Sequence, residues 1–225
     1  MHIPTWKKWL SYVWEFHVES SFSEYSQELY VLLSKGRYQL VTSNAIYSFE
    51  DLYVNFSRAF DKLKIDRARQ LNTLVLGVGM GSIPMVMESQ GFNNCYFTAI
   101  EIDETIIDLL SRYGMDKIKS PIEVYQADAV AFMNITQEQF DLIAIDLFIN
   151  DVIPDDAQSI DFLENVKERL ASNGLVMMNH LSLTQADQEK GKRFFNEFFK
   201  VVFPTADFID VGGNWMLIND SRFIQ

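Results

Sequence analysis

The segment that most restricts how this chain can fold is Leu74-Val75-Leu76-Gly77-Val78-Gly79-Met80-Gly81-Ser82. The short apolar run at 73–76 reads as a strand buried on both faces. Glycines at 77, 79 and 81 follow it, and they permit a tight turn and let a ligand come close to the backbone. Residues 82–90 read as the next helix, whose first N–H groups have no partner within the helix and can face a polar or anionic group. Strand, glycine turn and helix in this order is the opening unit of a doubly wound α/β sheet. Taken alone, the unit also suits a tight turn that binds nothing.

Downstream the same alternation continues. Strands are expected at 96–100, 122–126, 142–145 and 175–178, with helices at 104–113, 129–133, 158–170 and 184–200 between and after them. Val201–Asp210 and Trp215–Ile218 flank Gly212-Gly213-Asn214 and read as a closing hairpin. Continuous apolar strands alternating with helices require a parallel sheet covered on both faces, and the hairpin requires an antiparallel end. This is a Rossmann-like class I methyltransferase fold, with a mostly parallel seven-stranded sheet. Upstream, residues 9–47 read as about three β-strands, namely Trp9–Glu19, Glu28–Leu33 and Arg37–Val41. Residues 48–64 read as a helix with Ser48 as N-cap. The expected organisation is an N-terminal β segment over 1–47 and a larger α/β domain over 48–225.

Bulk composition narrows the partners. The net charge of −12 argues against a nucleic-acid partner, which calls for a basic face. An acidic surface suits solubility and also attracts cations such as polyamines. The single cysteine, Cys95, excludes an intramolecular disulfide and fits a cytoplasmic location. The start of the chain lacks the apolar run of a signal peptide, and no stretch has the length of a membrane helix. His2, His17 and His180 are scattered and no HExxH or CxxC spacing occurs, so no metal site is expected.

Three acids fall at expected strand ends. Glu101, 24 residues after Gly77, is placed to accept hydrogen bonds from ribose hydroxyls. Its neighbour Asp103 is better read as a helix cap. Asp128, after the third strand of the domain, can accept from an exocyclic adenine amine or cap the next helix. Asp146 ends the central strand, expected at Leu142–Ile145, and would lie beside the reactive centre of a ligand bound there. A dehydrogenase would use similar parts, but the loop reads GxGxGS rather than GxGxxG.

With Gln39-Leu40, Ala45-Ile46-Tyr47-Ser48, the glycine loop, Ile100-Glu101-Ile102-Asp103, Asp128 and Phe140–Asp146 in this order, residues 35–220 resemble the spermidine/spermine synthase family. The resemblance implies transfer of an aminopropyl group from decarboxylated S-adenosylmethionine to an amine, with catalysis in the 48–225 domain, and a homodimer, with oligomerisation through the 1–47 segment. It implies that Gly77, Gly79, Gly81, Glu101 and Asp128 hold the nucleoside. It also implies that Asp146 deprotonates or orients the attacking amine and that Tyr47 lies near that amine. The chain departs from the family at three places. Met80 stands where the family carries an acid, Ser48 where a glutamine usually follows the tyrosine, and Ile149 where the second acid of DxxD stands. Asp151 replaces that second acid only if the loop bends differently. The pattern at Asp146–Pro154 looks more like divergent spermidine-synthase-like proteins.

Two alternatives follow from these departures: an S-adenosylmethionine-dependent methyltransferase acting on a small molecule, and a noncatalytic binding protein on the same fold. Met80 is read as packing over the nucleoside and His180 as structural. Phe194, Phe195, Phe198 and Phe199 are read as a helix face on the sheet, and Lys190, Lys192 and Arg193 as a solvated face.

Overall fold

Two sheets organise the chain in the computed structural model, which describes residues 4–43, 45–149 and 151–225. The first forms around α1 (Thr5–Leu10), β1 (Phe16–Ser23), β2 (Gln27–Ser34), β3 (Arg37–Val41) and β4 (Ile46–Ser48), with the four strands antiparallel in sequence order. Two expectations are corrected here. Trp9–Glu19 is not one strand, because α1 and a turn occupy its first half and β1 begins at Phe16. The local reason is that Ser11 turns back onto the β2–β3 turn, its carbonyl accepting from Lys35 N–H at 2.8 Å and its Oγ from Gly36 N–H at 2.8 Å. Ser48 is not a helix cap either. It ends a fourth strand, and a 3-10 turn (Glu50–Leu52) intervenes before α2 (Val54–Asp61).

The second sheet contains β5 (Leu71–Leu76), β6 (Cys95–Glu101), β7 (Ile122–Gln126), β8 (Phe140–Ile145), β9 (Leu170–Leu181), β10 (Asp207–Asp210) and β11 (Asn214–Ile218). Between these strands run α3 (Ser82–Ser89), α4 (Glu104–Tyr113), α5 (Ala129–Ile135), α6 (Ile160–Glu168) and α7 (Gln185–Phe194). The last continues through a π-helical turn (Phe195–Phe199) into α8 (Lys200–Val202). Helix therefore persists to Val202, where the sequence pattern predicts a strand, because Phe199, Val202 and Phe203 are buried against the sheet. Strand order is β10-β11-β9-β8-β5-β6-β7. The five strands from β9 to β7 are parallel, and β11 pairs antiparallel with both β9 and β10. This is the Rossmann-like class I methyltransferase arrangement. The chain adds β6 and β7 on one side of β5 and then returns to place β8 on the other. The switch point lies between the carboxyl ends of β5 and β8, where such sheets bind ligands.

Alternate residues of each strand serve the two faces. Val75, Phe97, Ala99, Leu142, Ala144 and Met177 pack with α2 and α3 on one side. Leu76, Ile100, Ile143, Ile145 and Val176 pack with α5, α6 and the Phe194–Phe203 aromatics on the other. Phe194, Phe195 and Phe199 are thus core, as the helix-face reading expects, and Lys190, Lys192 and Arg193 are exposed. A third cluster joins Leu29, Val31, Leu33 and Leu40 of the first sheet to Ile106, Leu109 and Tyr113 of α4. Among the described residues no helix is long and apolar enough to cross a membrane, and no group of three or more His, Cys, Asp or Glu is placed to hold a metal.

Polar contacts fasten the first sheet to the second. Ser48 and Ser82 share a hydroxyl hydrogen bond of 2.6 Å, and Phe49 N–H donates to Ser82 Oγ at 2.8 Å. Ser23 Oγ donates to Asp103, which also caps α4 by accepting from Thr105 N–H. Ser82→Ala leaves the Phe49 N–H and the buried Ser48 hydroxyl without that partner. It is expected to lower unfolding stability by about 1–3 kcal/mol, read by denaturant titration.

Candidate active site

The glycine turn is gripped from both sides. Gly77 and Val78 N–H donate to the Ile100 carbonyl at 2.9 and 3.2 Å, and Asp146 N–H donates to the Leu76 carbonyl at 2.9 Å. Gly77 has φ +83°, and a Cβ there would collide with the carbonyl oxygen of Asp146. No side chain fits, so the loop after β5 and the end of β8 touch backbone to backbone. At Gly79 an added Cβ would lie 3.4 Å from the Tyr47 carbonyl oxygen. The turn therefore also abuts β4. The loop thus touches the Tyr47 backbone, the Glu101 carboxyl and the Asp146 backbone.

Glu101 is 8% exposed, at the end of β6. Its Oε2 accepts from Gly79 N–H at 3.1 Å, and its Oε1 accepts from the N–H groups of Ile102 at 3.1 Å and Asp103 at 3.3 Å. Burial pushes its pKa up to about 7, against the lowering influence of those three N–H donors. The carboxyl thus orders the loop, and ribose hydroxyls would have to share oxygens that backbone donors already occupy.

Asp146, the first residue past β8, is partly buried, and two neutral side chains hold its carboxyl. Tyr53 Oη donates to Oδ2 at 2.9 Å, and Asn179 Nδ2 donates to Oδ1 at 2.8 Å. Burial raises its pKa to about 6, while Asn179 and Tyr53 pull it down. A carboxylate held by neutral donors at the mouth of the switch point can receive a proton or bind a cationic nitrogen.

The other expected residues divide. Asp128 follows β7, whose Gln126 pairs with Glu101, and Ala127 N–H donates to the Glu101 carbonyl at 3.0 Å. It lies exposed beside the Glu101 strand end and caps α5 by accepting from Ala131 N–H at 2.8 Å. Tyr47 is half-buried, with its hydroxyl 2.9 Å from Ser26 Oγ. Asp151 is exposed on a tight turn closed by the Ile149–Val152 bridge, and Asn150 beside it lies outside the described residues, as does His2. Met80 corrects an expectation. It is 2% exposed and packs among the first sheet and α4, so its side chain belongs to the core rather than to a ligand surface. His180 stacks on Phe194 at 5.6 Å and its Nδ1 lies 3.0 Å from the Leu181 carbonyl, a structural setting as expected.

Tyr53 and Asn179 were not marked by sequence reasoning. Asn179 had a usable signal, since it follows the apolar run Leu175–Met178 as Asp146 follows Leu142–Ile145. Tyr53 had none, because its hydroxyl reaches Asp146 across 93 residues of chain. A cavity of about 530 Å³, lined by Arg37, Glu50, Glu88, Lys117 and Lys119 among others, contains none of these residues. It opens beside the start of β7, away from the carboxyl ends of the strands.

Residues 74–218 match the spermine/spermidine synthase domain. A polyamine aminopropyltransferase of Vibrio vulnificus is 25% identical over 137 residues, covering 58% of this chain and 46% of that protein. A probable polyamine aminopropyl transferase of Bifidobacterium longum is 28% identical over 108 residues, covering 48% of this chain and 24% of that protein. The chain thus spans less than half the length of the curated relatives it matches. In structure, a probable spermidine synthase from Corynebacterium glutamicum superposes with a TM-score of 0.65 at 19% identity, covering 92% of this chain and 80% of the other. Human methyltransferase-like protein 13, solved with SAH, superposes with a TM-score of 0.57 at 20% identity over 68% of this chain and 73% of the other.

Two measurements check this geometry. Gly77→Ala forces a Cβ into the Asp146 carbonyl and into a positive φ. It is expected to destabilise by about 2 kcal/mol or more in denaturant melts, whereas Gly91→Ala, with φ +92° but open space, pays only the φ strain of about 1 kcal/mol. Because the folded protein binds a proton at Asp146 and Glu101 more tightly than the unfolded chain does, their contribution to stability is complete at low pH. For Asp146 it is lost as pH rises from the ordinary 3.8 through about 6, and for Glu101 from 4.5 through about 7. Asp146→Asn should therefore flatten the decline in melting temperature between pH 4 and pH 6.

Proposed function

Because the chain belongs to the spermine/spermidine synthase domain family, we propose that it is a cytoplasmic transferase that moves an aminopropyl group from decarboxylated S-adenosylmethionine to a small amine. The single observation that carries the reading is the Asp146 carboxylate. It is held at the switch point, in backbone contact with the glycine loop, and charged only above a pH of about 6. The sulfonium donor supplies an electrophilic carbon. The glycines at 77–81 would let its adenosine half come close to the backbone, while Asp128 and Glu101 offer carboxyl oxygens, those of Glu101 shared with the N–H groups they already accept from. Orientation of the two reactants in line is the main contribution asked of the protein. As the amine nitrogen bonds to that carbon and the carbon–sulfur bond breaks, methylthioadenosine leaves. The surplus proton on nitrogen passes to Asp146. Tyr47, beside the loop, lines the amine side, and Asp151 reaches the amine only if its turn moves toward Asp146. The N-terminal segment, residues 1–47, would supply the surface through which two copies join.

One observation favours a second reading, transfer of a methyl group from S-adenosylmethionine to a small acceptor. The loop carries Met80, which has no carboxylate to offer a donor amine, and that side chain is committed to the core. Calorimetry with the two sulfonium nucleosides separates the readings, since tighter binding of the decarboxylated form is expected for aminopropyl transfer and the reverse for methyl transfer. With decarboxylated donor and a set of diamines, methylthioadenosine should appear, and kcat/KM should fall as pH drops below about 6. Asp146→Asn should cut turnover by roughly 10²–10⁴-fold, the range of a lost general base. A chain that binds either nucleoside but turns over neither is a binding protein on this fold.

A further inference from the structure

Asp146 sits partly buried at the end of β8, and among the described residues no cation contributes to its ionisation. Among the described residues, the influences on its ionisation are burial, Asn179 from β9 and the hydroxyl of Tyr53 from the segment before α2. Each takes one carboxylate oxygen, Tyr53 at 2.9 Å and Asn179 at 2.8 Å. Tyr53 is the titratable group in contact with it. Its own pKa is held well above the ordinary value by burial and by Asp146, so the hydroxyl stays protonated and donates.

The direction of the Asn179 amide is also set. Its Oδ1 accepts from Asn214 Nδ2 at 2.9 Å, at the start of β11. An amide whose oxygen is spoken for must present its NH₂ to its other neighbour, which is Asp146. The reverse orientation would set the amide oxygen against a carboxylate oxygen and one NH₂ against another. The antiparallel β9–β11 pair, which sets Asn179 opposite Met216 and Asn214 opposite Leu181, brings the two amides together. Tyr53 is fixed independently. It precedes α2 and stacks on Phe56 with ring centroids 6.2 Å apart.

We propose that Tyr53 and Asn179 are positioning residues that clamp the Asp146 carboxylate in one rotation and maintain it in its proton-accepting form, with Asn214 bracing the oxygen end of the Asn179 amide. The clamp rests on the reading of Asp146 as the proton acceptor, and it adds a constraint. The incoming nitrogen must approach a carboxylate face already carrying two neutral hydrogen bonds, so the geometry of attack is set by residues that never touch the donor. Both donors stabilise the charged form, and losing either moves the Asp146 midpoint upward.

The test is direct titration of Asp146 by carbon-13 NMR in protein labelled at aspartate carboxyls, with the signal assigned by its loss in Asp146→Asn. Tyr53→Phe retains the ring and removes the hydroxyl. It should raise the midpoint from about 6 by about one pH unit. Asn214→Ala, which frees the Asn179 amide without touching Asp146, should raise it by a smaller amount. The acid limb of kcat/KM should move by the same increments, with kcat well above the midpoint reduced less than kcat/KM at pH 6 is. Loss of packing alone would lower activity at every pH and leave the midpoint in place. An unmoved midpoint in both variants overturns the clamp whatever the enzyme does. A moved midpoint in a protein that turns over no sulfonium donor leaves the clamp standing and removes Asp146 as the base.

Discussion

The backbone contact between Gly77 and Asp146 is the constraint on which the rest of the structure depends. At this point the loop leaving β5 passes so close to the first residue beyond β8 that no side chain can stand between them. That proximity fixes the depth of the glycine turn and the place where the Asp146 carboxyl emerges. It is secured by hydrogen bonds to the Ile100 and Leu76 carbonyls, both on strands whose registers are set by buried residues. A side chain at 77 would have to displace the Asp146 carbonyl and with it the start of the loop after β8.

Charge in this region is maintained without countercharge. Glu101 relies on three backbone N–H groups and Asp146 on a phenol and an amide. Neutral donors only partly offset the desolvation of a carboxylate, and both groups accordingly have raised pKa values, about 7 and about 6. Stability is given up near neutral pH to hold two carboxyls that a bound cation would favour in their charged form. Ion pairs elsewhere do a different job. Arg37–Asp51 at 2.5 Å and Arg112–Glu19 at 2.5 Å join the first sheet to its neighbours, at half-exposed positions where each pair contributes little individually.

Much of the fold was legible because burial on both faces leaves a plain mark. Strands at 71–76, 95–101, 122–126 and 140–145 lie where apolar runs predict them, and the acids Glu101, Asp128 and Asp146 sit at their ends. The readings that failed are those where a tertiary contact outweighed a local pattern. Trp9–Glu19 alternates like a strand, yet Ser11 bonds to the β2–β3 turn and the chain before it coils. Ser48 looks like a cap, yet it pairs with β3 and meets Ser82. Met80 looks like a ligand residue by its place in the loop, yet its side chain faces the first sheet.

The order of the chain by itself determined the sheet, the loop and which acids end its strands, since these follow from hydrophobic period, glycine spacing and strand ends, all local properties. It could not determine what surrounds Asp146. Tyr53, Asn179 and Asn214 come from three separate elements, and only the packing of α2, the β9–β11 register and the closed turn at Gly77 bring them together. Ionisation in a buried site depends on which donors happen to face it, and that is a property of three-dimensional proximity that no spacing along the chain encodes.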